Sequence, residues 1–301
     1  MQLTLLHFND LHGRLAQLPR LFTLIQRERA AAQAAGRQVL LLDGGDSSDQ
    51  NEWASAVTQG RANFSLLEAM GVQASVVGKA ELFWGKLALA KMVAAVDFPV
   101  LAANLVDAAD PTQPAVPGLH GTVLLDLDGF ALGLVGLTQT FPKEFASAGY
   151  GVVDPAEALR RAVAGLRAEG AKLVVLLSHL GLTATPAASG KEPPNAWHDD
   201  DLAAAFPEIG VIVGGRTHTV LHQPLVIGGT VIVQAGGYGD YLGRLDLTVD
   251  DATGAVTAHS GRLIACDRTV PLDPTIQGTL ELVLEEAAKI GKKSAATKDK
   301  G

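Results

Sequence analysis

A single cysteine, Cys266, stands in a chain of 301 residues. One thiol cannot close an intramolecular disulfide, and a thiolate metal centre needs several cysteines close together, so any metal must rest on imidazoles and carboxylates. Long apolar runs are missing too, none reaching the ~18 residues of a membrane span. Met1-Gln2 leads directly into Leu3-Thr4-Leu5-Leu6, with no basic segment and no small-residue cleavage site. The expectation is a cytoplasmic protein without signal peptide or membrane contact. Positive charge is scarce: 24 Lys+Arg against 32 Asp+Glu give a formal charge of −8. Such a surface repels polyanions, disfavours a general nucleic-acid binder and requires any anionic ligand to be met by a local basic cluster. No internal repeat and no linker rich in Pro, Gly or Ser marks a domain boundary.

What the chain does contain is the composition of a folded domain, 48% hydrophobic and 19% charged, with short apolar runs alternating with amphipathic stretches. Leu3 to Phe8 reads as a strand. Leu18 to Ala35 reads as a helix with apolar residues at Leu18, Leu21, Phe22 and Ile25, stopping at Gly36, and Val39 to Leu42 as a buried strand. The pattern continues through a helix over Ala62 to Met70, a strand over Ala74 to Val77, a helix over Leu87 to Val96 and a strand over Val100 to Ala103. This alternation predicts an α/β fold with a largely parallel sheet. After Gly121 the rhythm changes, because Thr122 to Leu127 and Phe130 to Leu137 flank the hairpin signal Asp128-Gly129 and open a second sheet or an antiparallel extension. A helix over Ala156 to Ala168 follows, then strands at Leu173 to Leu177, Val211 to Val213 and Val231 to Val233. A hairpin between Tyr241 and Ile264 and a terminal helix over Thr275 to Ile290 close the chain. Thr183 to Asn195 is a loop of a length often tied to function. The last fifteen residues carry five lysines against Asp299, which reads as a solvated basic tail.

Ligands of open α/β sheets gather beyond the carboxyl ends of the strands, and here those ends are rich in metal-ligating groups. The runs end in Asn9-Asp10-Leu11-His12-Gly13, Asp43-Gly44-Gly45-Asp46, Gly78-Lys79-Ala80-Glu81, Ser178-His179 and Gly214-Gly215-Arg216-Thr217-His218-Thr219. Asp10 and His12, two apart in an extended segment, point to one side while Leu11 is free to face the core. Mixed imidazole and carboxylate ligation suits a borderline or hard divalent cation. A lone Asp-x-His is more simply an Asx turn beside a surface histidine. Five such strand ends make that simpler account much weaker.

The order of these segments, with Leu101-Ala102-Ala103-Asn104-Leu105, Gln234-Ala235-Gly236-Gly237-Tyr238 and Leu242-Gly243-Arg244-Leu245, resembles the calcineurin-like metallophosphoesterases. Within them it is most similar to the branch of 5′-nucleotidases and 2′,3′-cyclic nucleotide phosphodiesterases. The resemblance runs from Leu3 to about Gln277. It implies a four-layer α-β-β-α sandwich, with residues 1–277 as the phosphoesterase domain and 278–301 as a terminal helix and tail. It also implies two metals that share a carboxylate and clamp phosphate oxygens. By motif position the first metal, Mn, Zn, Fe or Mg, falls to Asp10, His12, Asp46 and His218.

The second metal needs Asp46, an asparagine, His179 and one further histidine, but Lys79 stands at the asparagine position and Arg216 at that of the histidine. Neither side chain has a lone pair to give a metal near neutral pH, so the expectation is one divalent metal and no second. Ala80 occupies the position of a histidine that serves the leaving group, and such a group is worth ~10²–10⁴ in rate. The resemblance therefore implies a hydrolase scaffold with impaired or lost two-metal hydrolysis. Lys79 and Arg216 carry about the charge of the missing cation. They either pair with Asp46 or, as point charge and fork, bind phosphate, with Asn104 a third candidate. His179 is left as a candidate acid or base, or as a plain hydrogen-bonding residue. Two alternatives stand beside the impaired hydrolase: an active one-metal phosphoesterase, and a sensor or binding module for a small phosphorylated ligand. Family members are often exported, and in the nucleotidase branch a second domain binds the base. Too little sequence follows Gln277 to build that domain, so the resemblance does not by itself imply a nucleotide substrate. Phe83 and Trp84 are candidates for a pocket wall or for core packing. His7, His120, His198, His222 and His259 match no motif position, although His222 is close in sequence to His218.

Overall fold

A computed structural model describes residues 1–139, 145–146, 148–183 and 196–298, with side chains described to Lys293. The chain opens with β1 (Gln2–Phe8), α1 (Leu18–Ala34) and β2 (Gln38–Asp43). In α1 the buried Leu18, Leu21, Phe22 and Ile25 form a single apolar stripe, and Pro19 sits in the first turn, where no amide is required. Next come α2 (Trp53–Thr58), α3 (Arg61–Ala69), β3 (Ala74–Val76), α4 (Lys79–Leu82), α5 (Lys86–Val93) and β4 (Val100–Leu101). Strands β1 to β4 pair in parallel, as the alternation of strand and helix requires.

The strands β5 (Leu105–Asp107) and β9 (Tyr150–Val152) form a separate antiparallel ribbon, and β6 (Leu119–His120) adds to the edge of the first sheet. Asp128 (φ 52°) and Gly129 (φ 86°) make the tight turn between β7 (Thr122–Leu127) and β8 (Phe130–Thr138). That hairpin opens a second sheet, completed by β10 (Leu173–His179), β11 (Val211–Gly214), β12 (Leu225–Ile227) and β13 (Thr230–Val233). Its outer face carries α6 (Pro155–Ala168), capped by Asp154 accepting from the Glu157 amide at 3.0 Å, and α7 (Asp199–Ala205). The closing hairpin of β14 (Tyr241–Val249) and β15 (Val256–Ala265) returns to the first sheet, where β14 lies antiparallel to β1. The first sheet thus runs β15-β14-β1-β2-β3-β4-β6, and the second β12-β13-β11-β10-β8-β7.

Period-two alternation splits each central strand between two cores. Leu3 and Leu5 of β1 and Leu40 and Leu42 of β2 face Leu132, Leu134, Val175 and Leu177 of the second sheet. Leu6, Phe8 and Leu41 face the helices of the first layer, and Val174, Leu176 and Ile212 face Leu159, Val163 and Leu202 of α6 and α7. Three apolar interfaces separate four layers, α-β-β-α, which is the expected sandwich.

The terminal helix α8 (Pro274–Lys298) is longer than its periodicity suggested and packs on α1, α2 and α3. Its Ile276, Leu280 and Ala287 are buried in the first core. The expected division at Gln277 therefore falls inside a helix that is built into the domain. Of the loop Thr183 to Asn195, only Thr183 lies within the described residues. No described helix is long and apolar enough to cross a membrane.

Candidate metal centre

Beyond β1 the chain does not remain extended, which corrects the reading of Asp10 and His12 as one side of an extended segment. Both are left-handed, with φ of 52° and 45°. The cause is the loop after β2: the Asp10 amide donates to the Gly45 carbonyl (2.8 Å), that of His12 to Asp46 (2.9 Å) and that of Gly13 to Ser47 (3.0 Å). Leu11 between them is buried, as alternation anticipated. Among the described residues eight non-glycines have positive φ, and Asp10, His12, Asp46, Arg216, His218 and Tyr238 are six of them. Aspartate and histidine tolerate this region better than most residues, but each such conformation costs on the order of 1 kcal/mol or more. Dense side-chain bonding holds them there. Asn9, fully buried, donates to Asp10 Oδ2 (2.6 Å) and to the Gly236 carbonyl (2.6 Å), and accepts from the Ala235 amide (2.8 Å). Gln234 accepts from Thr217 Oγ1 (3.0 Å) and the Thr219 amide (3.2 Å) and donates to the Gly215 carbonyl, so it sets the loop carrying Arg216 and His218.

These loops bring all four residues expected at the first metal into one basin. His218 Nε2 is 3.3 Å from Asp10 Oδ1 and 3.1 Å from His12 Nε2, and His12 Nε2 is 3.7 Å from Asp10 Oδ1 and 3.8 Å from Asp46 Oδ2. The structure adds His179 to the same carboxylates, its Nε2 lying 3.1 Å from Asp46 Oδ2 and 3.8 Å from Asp10 Oδ1. Two overlapping ligand sets result, Asp10-His12-His218 and Asp10-Asp46-His179, each with its ligand atoms within 4.8 Å of one another.

His179 tests whether the basin fits a cation. Its ring is fully buried, and Nδ1 donates to the Gly44 carbonyl at 2.7 Å. That bond leaves the lone pair of the neutral ring on Nε2, the arrangement that prepares an imidazole for a metal. In that neutral ring Nε2 faces both carboxylates with no donor to accept from. An orphaned buried nitrogen between two carboxylates fits a divalent cation. The electrostatics agree. Burial opposes a charged His179, but the Asp46 and Asp10 carboxylates and the Gly44 carbonyl outweigh it and hold the ring up at about 10. Burial likewise opposes a charged Asp46, yet His179, His12 and the Ala80 amide keep its carboxyl well below the usual range. A hydrogen bond to Asp10 raises His218. The raised imidazoles place positive charge beside the two carboxylates, and a cation bound there would have to displace those protons.

The Gly78 segment closes the basin on the Asp46 side. The Ala80 amide donates to Asp46 Oδ1 at 2.7 Å. An added Cβ at Gly78 would lie 2.1 Å from that same oxygen, so only glycine fits. Glu81, completely buried, accepts from the amides of Gly78 (2.9 Å), Asp46 (3.2 Å) and Ser48 (3.0 Å) and from Ser48 Oγ (2.9 Å). Burial, then the charge of Asp46, raises its carboxyl. The sequence placed Glu81 at the end of its motif without giving it this organising role.

The basic pair is placed differently. Lys79 is exposed at the start of α4. Arg216 meets the basin through its backbone, its amide donating to both Asp10 oxygens (3.1 and 2.8 Å) while Nη1 donates to the Leu180 carbonyl (2.7 Å) behind His179. Asn104 is fully buried and straps the end of β8, donating to the Thr138 carbonyl (2.7 Å) and accepting from its amide (2.9 Å). Trp84 packs on the first core, with Phe83 exposed against its edge. His222 sits edge-on to Tyr241, and His7 is buried and pushed down by that burial to about 4. Tyr238, overlooked except as part of a quoted segment, lays its ring 5.6 Å from that of His12 and 5.2 Å from that of His218.

No family model matches the chain. It is 29% identical over 262 residues to an uncharacterized metallophosphoesterase, YunD, of Bacillus subtilis, covering 86% of this chain and 53% of that protein. A 5′-nucleotidase of Diplobatis ommata is 28% identical over 327 residues, covering 97% of this chain and 53% of its own length. The chain spans about half the length of these curated relatives. The calcineurin-like phosphoesterase YfkN of Bacillus subtilis superposes with a TM-score of 0.72 at 20% identity, covering 96% of this chain and 98% of that structure, and so shares the fold.

Proposed function

We propose that this relative of metallophosphoesterases and 5′-nucleotidases holds one divalent cation in the basin of Asp10, His12, Asp46, His179 and His218, and handles phosphate esters there with impaired hydrolysis. The observation that carries the reading is the His179 Nε2 nitrogen, buried, oriented by the Gly44 carbonyl and, in the neutral ring, left without a donor 3.1 Å from Asp46. Two carboxylates and three imidazoles are ample for one cation of the Zn or Mn type. When bound, such a cation polarises a phosphoryl oxygen. Asp10 is held for it by Asn9 and the Arg216 amide, and Asp46 by the Ala80 amide. Lys79 contributes positive charge toward an anionic ester, but Ala80 offers only a methyl group where a proton donor would assist departure. That loss alone accounts for ~10²–10⁴ in rate.

The test combines metal content with turnover. Elemental analysis after loading with Mn²⁺ or Zn²⁺ is expected to give one equivalent per chain in the wild type and none in Asp46→Ala. Hydrolysis of p-nitrophenyl phosphate and of its bis ester is expected to be slow and to vanish with Asp46→Ala. The triple variant Lys79→Asn, Ala80→His, Arg216→His is expected to take up a second equivalent and to hydrolyse faster. Two equivalents in the wild type, or none, would overturn the reading.

A further inference from the structure

On one flank of the sandwich both sheets end in an open edge. Among the described residues β15 closes the first sheet and pairs only with β14, and β12 closes the second and pairs only with β13. The two edges touch, since a Cβ added at Gly261 of β15 would lie 2.4 Å from Cγ of Pro224, the residue before β12. With ten residues β15 is the longest described strand, and its one break in register lies at the turn end, between Thr248 and Val249 of β14. Thr257, Ala258, His259 and Ser260 are exposed along it, and Leu225 and Val226 of β12 are 37% and 47% exposed beside it.

A free edge invites another strand, and folded proteins ordinarily guard it with lysine, proline, a short length or a covering element. This flank has little of that. Arg262 is the only charged residue from Ala255 to Ala265, and its Nη2 is already paired with Glu28 Oε2 at 2.7 Å. No Lys, Arg, Asp or Glu stands between Arg216 and Asp240, the stretch that holds β12. A chain of formal charge −8 repels its own copies over most of its surface, but along these two edges no carboxylate opposes another. Length fits as well. Alternate residues of an antiparallel strand face outward, so two ten-residue edges form about ten main-chain hydrogen bonds, the number typical of a stable interface. A second copy also matches both edges at once. A twofold axis perpendicular to the sheets sets β15 against β15 and brings β12 toward β12, and it leaves the core-side and helix-side faces unexchanged. A single extended peptide covers only one of the two edges. We propose that this flank joins two copies of the chain, by antiparallel pairing of β15 with β15 and by covering Leu225 and Val226 of both.

Analytical ultracentrifugation of the full chain, from about 1 to 100 µM, reads the association directly. The expected result is a mass that rises with concentration to twice that of the chain. Lysines at two exposed positions of β15, Ala258→Lys with Ser260→Lys, bring like charges together across the paired edges, and Val226→Asp does the same beside them. Each is expected to weaken the dimer at least tenfold. Hydrogen–deuterium exchange of the wild type needs no substitution: the amides of residues 256–265 that face away from β14 are expected to exchange at least tenfold faster on dilution to the monomer. A monomer at the highest concentration would overturn the proposal and leave the edge to a strand of another protein. A dimer undiminished in the double lysine variant, or exchange along β15 that dilution does not alter, would place the contact elsewhere and overturn it equally.

Discussion

Replacing Glu81 by glutamine changes one atom in the support of the basin, and its cost follows from four donors. Oε2 accepts from the Gly78 and Asp46 amides, and Oε1 from the Ser48 amide and hydroxyl. A glutamine NH₂ placed at the Oε2 position would face two amides that cannot turn away. Placed at the Oε1 position it faces one amide and a hydroxyl that can rotate to accept, so the amide group settles there and leaves the Ser48 N–H unsatisfied. A buried unsatisfied donor costs ~1–3 kcal/mol, and the remaining bonds lose their charge assistance. Against this, the substitution removes a buried negative charge repelled by Asp46. We expect the hydrogen-bond loss to win, because four donors already converge on that charge, giving a net destabilisation of ~1–3 kcal/mol. At ~2 °C per kcal/mol for a chain of this size the melting temperature should fall by roughly 2–6 °C. The apparent Mn²⁺ affinity should weaken as well, since the Asp46 amide is one of the four donors. Thermal denaturation by circular dichroism and metal titration read both effects. A Glu81→Gln protein as stable as the wild type, with undiminished metal affinity, would refute the account of Glu81 as the organiser of the Gly78 and Asp46 loops.

Other expectations follow from single contacts. Gly78→Ala places a Cβ 2.1 Å from Asp46 Oδ1 and 2.4 Å from the Asp46 amide. It should cost ~1–3 kcal/mol by overpacking and lower metal affinity at least tenfold, whereas unchanged affinity would show that the segment yields freely. Asn104→Ala strips the buried Thr138 amide and carbonyl of their partners and should lower stability in urea by ~2 kcal/mol or more, with equal midpoints arguing against the strap. Asp199 gives a pH dependence. Burial pushes its carboxyl up to about 8, against the opposing hydrogen bond from Ser178. Below the ordinary carboxylate range both folded and unfolded states hold this proton and its contribution is intact. As pH rises toward 8 the unfolded chain gives the proton up while the folded chain keeps it, and stability falls, by up to ~4 kcal/mol between pH 5 and 8. Asp199→Asn should flatten that decline in urea unfolding at the two pH values, and an identical decline in variant and wild type would count against it.

The imidazoles and carboxylates that meet in the basin, and their order along the chain, were legible in the sequence, as were the strands that end in them and the Asp128-Gly129 turn that starts the second sheet. Local chemistry suffices for these: period-two alternation selects a strand's faces, helical spacing selects the stripe of α1, and a residue's donor inventory is the same wherever it lies. Tertiary structure decided what depends on residues far apart in the chain. The left-handed turns at Asp10 and His12 arise from bonds to the loop after β2, and the approach of the Arg216 amide to Asp10 spans 206 positions. The same holds for His179, a candidate acid, base or hydrogen-bonding residue by sequence, whose ring is oriented toward Asp10 and Asp46 by the Gly44 carbonyl on the other sheet. The closing hairpin joins the first sheet by pairing with β1, and α8 belongs to the domain because its buried face meets α1, α2 and α3. The sequence by itself determined which imidazoles and carboxylates are available to hold a cation. Their convergence and their protonation were decided by the fold, since burial and through-space charge exist only once distant loops have met.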